Sequence, residues 1–133
     1  DFLSCMNFEN GKYDMLWGRD ENMLPALAVG AKGAVGSTFN YAAPLYYNLI
    51  DAFNNGDLQK AQQLQEQSID MIRLLGKYGG IATGKAYMKL LGCGEFRLPV
   101  KNMTAEQFLL FKKDTEQINF SSFCSLKPAS VKA

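Results

Sequence analysis

The chain has 133 residues, about one domain's worth, with 47% apolar and 20% charged residues. Its 14 basic and 13 acidic residues leave a net charge of +1, which excludes the basic footprint of a nucleic-acid binder. No apolar run reaches membrane-spanning length, because Pro25 and the glycines at 30, 33 and 36 interrupt the best candidate.

Residues 1–10 place Phe2, Leu3, Cys5 and Met6 on one face of a short helix that stops at Asn10-Gly11. The chain begins at Asp1, and DFLSCMNF reads like the end of a helix. The expectation is a piece of a longer protein, with a trimmed form of a complete one as the alternative. Tyr13–Trp17 is a compact apolar run between Gly11 and Gly18, as in a buried strand. Asp20 is placed to cap a helix running to about Val29, with Glu21 favourable in its first turn and Gly30 closing it. Gly33–Ser37 follows as a second short strand. Strand, helix, strand at this spacing is the rhythm of a parallel sheet, whose sites lie in the loops after the strands. Both polar turns, Gly18–Glu21 and Gly36–Asn40, fall there.

The remainder reads as helix. Pro44 opens one that runs to Phe53 with Leu45, Leu49 and Phe53 on a face. Asp57 caps a long one through about Tyr78, its stripe being Leu58, Ala61, Leu64 or Gln65, Ser68, Ile72 and Leu75. Another covers Ile81–Leu91, and Arg97-Leu98-Pro99 is extended. Thr104 with Gln107 forms a capping box for a helix that aligns Phe108, Phe111, Thr115 and Ile118. The tail from Ser121 to Ala133 is polar and expected to fray.

Chemistry is constrained by what the composition lacks. There is no histidine, so Ser-His-Asp and Cys-His nucleophile systems are excluded within these residues. Cys5, Cys93 and Cys124 are odd in number and contain no CxxC pair. Reduced thiols and a cytoplasmic location are the expectation. Gly33–Thr38 has neither GxGxxG nor a Walker lysine, so a plain strand with Ser37 as a local cap outweighs a phosphate cradle. Lys12 precedes a strand rather than ending one, and Lys60, Lys77, Lys85 and Lys89 fall on helices. None has the buried setting that a Schiff-base lysine needs. Tyr41, Tyr46 and Tyr47 read as packing. Asp20 and Glu21 serve either as helix-start residues or as acceptors for the hydroxyl groups of a polyol, with Gly18 letting the backbone approach the ligand.

Gly18-x-Asp20-Glu21 after a strand, followed by Gly30–Asn40 (GAKGAVGSTFN), resembles the pyruvate-dependent class I aldolases. These include dihydrodipicolinate synthase, and the Gly36–Asn40 signature with Asp20-Glu21 points to their sialic-acid (N-acetylneuraminate) lyase branch. NNGDLQKAQQLQ and Arg97–Pro99 extend the likeness over nearly the whole chain. The resemblance implies an α/β fold, the C-terminal part of a (β/α)8 TIM barrel. Residues 1–53 would supply its last two strands with their helices, and 54–133 a closing helical extension. It implies reversible cleavage of N-acetylneuraminate to N-acetylmannosamine and pyruvate through a lysine Schiff base, without metal or cofactor, in a homotetramer. The Schiff-base lysine and the proton-moving tyrosine match nothing here, so this chain alone is expected to be inactive. Gly18, Asp20, Glu21 and Ser37 match substrate-binding positions, and Gly36 a position beside the pyruvate end. Alternatives are another aldolase of the family, a non-catalytic sugar-acid-binding module, or a helical interaction module.

Overall fold

The computed structural model describes residues 1–95 and 101–125; the expected extended Arg97–Pro99 segment and the tail from 126 onward lie outside them. Six α-helices organise the described chain: α1 (Phe2–Asn7), α2 (Met23–Ala28), α3 (Phe39–Asn54), α4 (Leu58–Tyr78), α5 (Ile81–Leu90) and α6 (Ala105–Gln117). Helix α1 passes into a tight turn at Phe8–Gly11, where Glu9, Asn10 and Gly11 all take positive φ.

The two expected strands shrink to a single parallel bridge between Trp17 and Ala34. The Trp17 amide donates to the Gly33 carbonyl at 2.9 Å, and the Val35 amide donates to the Trp17 carbonyl at 2.8 Å. That is the slanted bonding of a parallel pair. Tyr13–Trp17 is also not buried: Tyr13 and Leu16 are exposed, and Trp17 is partly covered by the edge of the Phe2 ring, 5.1 Å away. Two adjacent segments give each other one ladder only, and their outer edges have no neighbour among the described residues. The apolar run that signals a buried strand is present, but the layers that would bury it are not.

Helix α4 shows how caps fix boundaries. The Asp57 carboxylate accepts the Lys60 amide at 2.9 Å. At the other end Gly79 takes φ 99°, a left-handed turn that glycine adopts without strain, and the Gly79 and Gly80 amides close on the Leu75 carbonyl. The Thr104–Gln107 capping box opens α6 with both reciprocal bonds made. Helix α3 starts earlier than its proline suggests, at Phe39 rather than Pro44. The chain absorbs Pro44 by leaving helical geometry at Ala42, φ −139°.

The core lies between α3, α4, α5 and α6. Leu45 and Leu49 of α3, Ala61 and Met71 of α4, Tyr87 of α5 and Phe111 of α6 are fully buried. Tyr41 stacks on Tyr87 at 4.6 Å, and Phe111 meets Tyr87 edge-on at 4.8 Å. The expected stripe of α4 is buried at Ala61, Leu64, Gln65 and Ser68 but departs at its ends: Leu58 is exposed, and Met71 and Leu74 are buried where Ile72 and Leu75 are half-buried. The segment after α6 does not fray at its start. Phe120 and Phe123 are buried, and the Ser125 amide donates to the Tyr41 carbonyl at 2.8 Å. No helix among the described residues is long and apolar enough to cross a membrane.

Candidate functional site

The turn after Trp17 is closed locally. The indole Nε1 donates to the Arg19 carbonyl at 2.6 Å, and residues Asp20–Asn22 form one 3-10 turn before α2. This brings Asp20 beneath the second polar turn. Its carboxylate makes no cap bond to α2, contrary to the sequence expectation. It reaches instead across the parallel bridge to the start of α3. Oδ2 accepts the Thr38 amide at 3.0 Å and the Thr38 hydroxyl at 2.6 Å. The backbone donors opening α3 are without helical partners, and the parallel bridge sets the turn that carries Asp20 beside the turn that carries Thr38. Ser37, expected as a local cap, is exposed, and its carbonyl accepts from the Asn40 side chain at 3.0 Å.

Gly36 is required by this approach. A Cβ there would stand 1.9 Å from Asp20 Oδ1 and 2.4 Å from its Cγ, so only a residue without a side chain lets the carboxylate settle over the strand end. Asp20 is 7% exposed, while Glu21 is half-buried and Gly18 exposed. Glu21 pairs with Arg19 at 3.0 Å across side chains that are 33% and 66% exposed, an ion pair that solvent screens and a ligand readily displaces.

A cavity of about 290 Å³ opens above these groups. Gly18, Asp20, Glu21, Gly36 and Ser37, all five residues marked from the sequence, line it together with Thr38. Its apolar wall comes from Val35 and from Ile72 and Leu75 of α4. Half-buried Ile72 and Leu75 face this space from the last turns of α4, Leu75 also packing against the core. A second cavity of about 420 Å³ shares Ser37 and Leu75 with the first and continues to Asn40, Tyr41, Gly84 and Met88. Two carboxylates and the exposed Ser37 hydroxyl, together with aliphatic carbon from Val35, Ile72 and Leu75, suit a ligand bearing several hydroxyl groups on a carbon chain.

Three residues beneath the site escape a reading of motifs. The Thr38 hydroxyl lies 2.6 Å from the Tyr46 hydroxyl, which lies 2.9 Å from the Ser68 hydroxyl. Gln65 ties the other side: its Oε1 accepts the Leu24 amide at 2.8 Å, and its Nε2 donates to the Asp20 carbonyl at 3.4 Å. Polar Gln65 and Ser68 inside the apolar stripe of α4 are the one sequence signal that pointed to them. Burial pushes the Tyr46 phenol up to about 12, against the downward pull of its bonds with Ser68 and Thr38. It therefore keeps its proton at neutral pH. Tyr41 and Tyr87 are raised further, chiefly by burial, so neither serves as a base. Tyr47 is exposed.

Lys60, Lys77, Lys85 and Lys89 lie on α4 and α5, with Lys85 half-buried at the wall of the second cavity. Lys12 pairs with Glu9, and Lys89 pairs with Glu95 over the Phe108 ring. Lys77 bonds Asp114 at 2.7 Å, which raises its pKa, the opposite of what an imine-forming amine needs. Among the described residues no cluster of three His, Cys, Asp or Glu side chains gathers as a metal centre would.

The profile of the dihydrodipicolinate synthetase family matches residues 7–118. An N-acetylneuraminate lyase from Rattus norvegicus is 34% identical over 138 aligned residues, covering 100% of this chain and 43% of the relative. The chain thus spans less than half the length of the curated relatives it matches. The solved structure of Proteus mirabilis N-acetylneuraminate lyase superposes with a TM-score of 0.81 at 45% identity, over 90% of this chain and 41% of that one. A dihydrodipicolinate synthase from Bacillus anthracis superposes at 0.74 with 25% identity, over 86% and 40%. With the family profile spanning most of its length, and the likeness carried by both sequence and backbone, the chain belongs to the dihydrodipicolinate synthetase family.

Proposed function

We propose that this chain is the C-terminal part of a (β/α)8-barrel aldolase that reversibly cleaves N-acetylneuraminate to N-acetylmannosamine and pyruvate. The observation that carries the reading is the convergence of Gly18, Asp20, Glu21, Gly36 and Ser37 on one cavity. Those residues form the motif shared with the lyase branch, and the lyase relatives named above are more similar to this chain than the synthase is.

In this reading the cavity holds the hydroxyl-bearing tail of the sugar acid. Asp20 and Glu21 accept hydrogen bonds from ligand hydroxyls, Ser37 adds a hydroxyl that donates or accepts, and Gly18 leaves room for the ligand beside the backbone. Gly36 borders the pyruvate end. The carbon–carbon bond breaks elsewhere. A lysine amine outside residues 1–133 condenses with the substrate ketone and loses water. The imine then takes up the electron pair released as the bond breaks, while a tyrosine outside this chain removes the carbinol proton. The resulting enamine takes a proton back on carbon, and water hydrolyses the imine so formed to pyruvate and the free amine. No metal or cofactor enters that sequence. The full-length protein is read as a cytoplasmic homotetramer acting on small molecules, without nucleic-acid or membrane partners, and residues 1–133 by themselves as inactive.

The direct test is a pyruvate-release assay on the full-length protein with N-acetylneuraminate. Cleavage to N-acetylmannosamine and pyruvate is expected. Turnover of a different pyruvate aldol, with none of N-acetylneuraminate, would transfer the protein to another branch of the family.

A further inference from the structure

The bonds beneath the cavity have one self-consistent direction. A carboxylate only accepts, so the Thr38 hydroxyl spends its single proton on Asp20 Oδ2. The 2.6 Å contact between Thr38 and Tyr46 then requires the Tyr46 hydroxyl to donate to Thr38. Tyr46 in turn must accept from Ser68 at 2.9 Å, a better bond than the 3.4 Å alternative from Ser68 to the Asp20 carbonyl. Ser68, Tyr46 and Thr38 thus form a buried chain in which each hydroxyl polarises the next toward the carboxylate. Every oxygen of the chain serves Oδ2. Oδ1 has no donor among the described residues and lies over Gly36, and both Asp20 and Gly36 line the cavity.

We propose that Ser68, Tyr46 and Thr38 are positioning residues that clamp one oxygen of Asp20 so that the other faces a ligand hydroxyl. The inference rests on the lyase reading above, because it assigns the clamped carboxylate to the sugar-acid tail. With the hydroxyl chain broken the Thr38 amide alone holds Oδ2, and the carboxylate gains freedom about its last torsion that draws the other oxygen off line. That weakens binding of the tail and leaves imine formation with pyruvate untouched.

The test uses the full-length protein and reads two quantities, steady-state cleavage of N-acetylneuraminate and borohydride trapping of pyruvate. Tyr46→Phe and Thr38→Val each remove one hydroxyl and keep the shape. Each is expected to raise KM for N-acetylneuraminate about tenfold with trapping unchanged, Thr38→Val by removing the charge-assisted bond to Asp20 and Tyr46→Phe by removing the hydroxyl that polarises Thr38. Thr38→Ser, which restores the hydroxyl, is expected to recover most of that loss. Unchanged KM in both folded variants, or trapping that falls in step with KM, overturns the clamp and leaves the lyase assignment standing. Wild-type protein that does not cleave N-acetylneuraminate removes the assignment and the clamp together. If Thr38→Val does not fold, Tyr46→Phe decides alone, since it deletes a single oxygen.

Discussion

Asp20 sits where structure and binding compete for the same side chain. Its Oδ2 holds the start of α3 through two bonds to Thr38, and its Oδ1 is left to the cavity. Gly36 is the residue that makes both uses compatible. In Gly36→Ala the new Cβ would fall 1.9 Å from Oδ1, and the carboxylate could only escape by leaving Thr38. Such overpacking costs roughly 1–3 kcal/mol. Thermal unfolding of the full-length variant should show that loss together with a raised KM for the sugar acid; a variant that matched the parent in both would mean the carboxylate is not held as described. The same logic applies to Asp20→Ala, which should raise KM or lower turnover while pyruvate trapping persists. Loss of trapping there would place Asp20 on the bond-breaking side. Five positions were marked from the sequence and all five line one cavity, so their proximity was legible in the motif. The clamp was not, because Thr38, Tyr46 and Ser68 come from separate turns and helices and meet only through packing.

At the level of elements, boundaries set by side-chain caps were readable. Asp57 and the Thr104–Gln107 box both make the bonds their types predict. Helix phase was less so. Periodicity gives an apolar stripe but not which edge of it faces the core, and α4 resolves this by burying Met71 and Leu74 and giving Ile72 and Leu75 to the cavity. Long-range polar ties between helices were also invisible to local pattern. One joins the end of α4 to α6: Asp114 accepts from Lys77 at 2.7 Å and from Tyr78 at 2.6 Å. These bonds hold the Asp114 carboxyl below the usual carboxylate range, and its pairing raises Lys77. A depressed acid stabilises the fold above its unfolded pKa, and that contribution is lost as pH falls through the folded value. A raised lysine stabilises below its unfolded pKa and is lost as pH rises through the folded one. The tie is therefore fully present at neutral pH. Acid titration of unfolding should show parent and Asp114→Asn proteins converging as pH drops below about 4. A gap that stayed constant from neutral to acid pH would deny the tie its charge.

Over the whole molecule, the helical portion has a closed core while the sheet portion does not. Leu45, Leu49, Met71, Tyr87 and Phe111 are sealed, whereas Leu16 and Val35, at the parallel bridge, remain 59% and 63% exposed. An apolar strand pair with uncovered neighbours is what a barrel segment looks like without its remaining strands. The strand–helix–strand rhythm is present as one parallel bridge, but the expected strands do not form among the described residues, because strand length depends on neighbours that a local run does not contain. Under the proposed function, residues 1–133 recognise the polyol tail and the imine forms on a lysine beyond them. The most direct measurement is peptide mapping of the full-length protein after borohydride trapping with pyruvate. The account predicts one modified lysine, located outside residues 1–133. A pyruvyl label on Lys12, Lys32, Lys85 or any other lysine of this chain would contradict it.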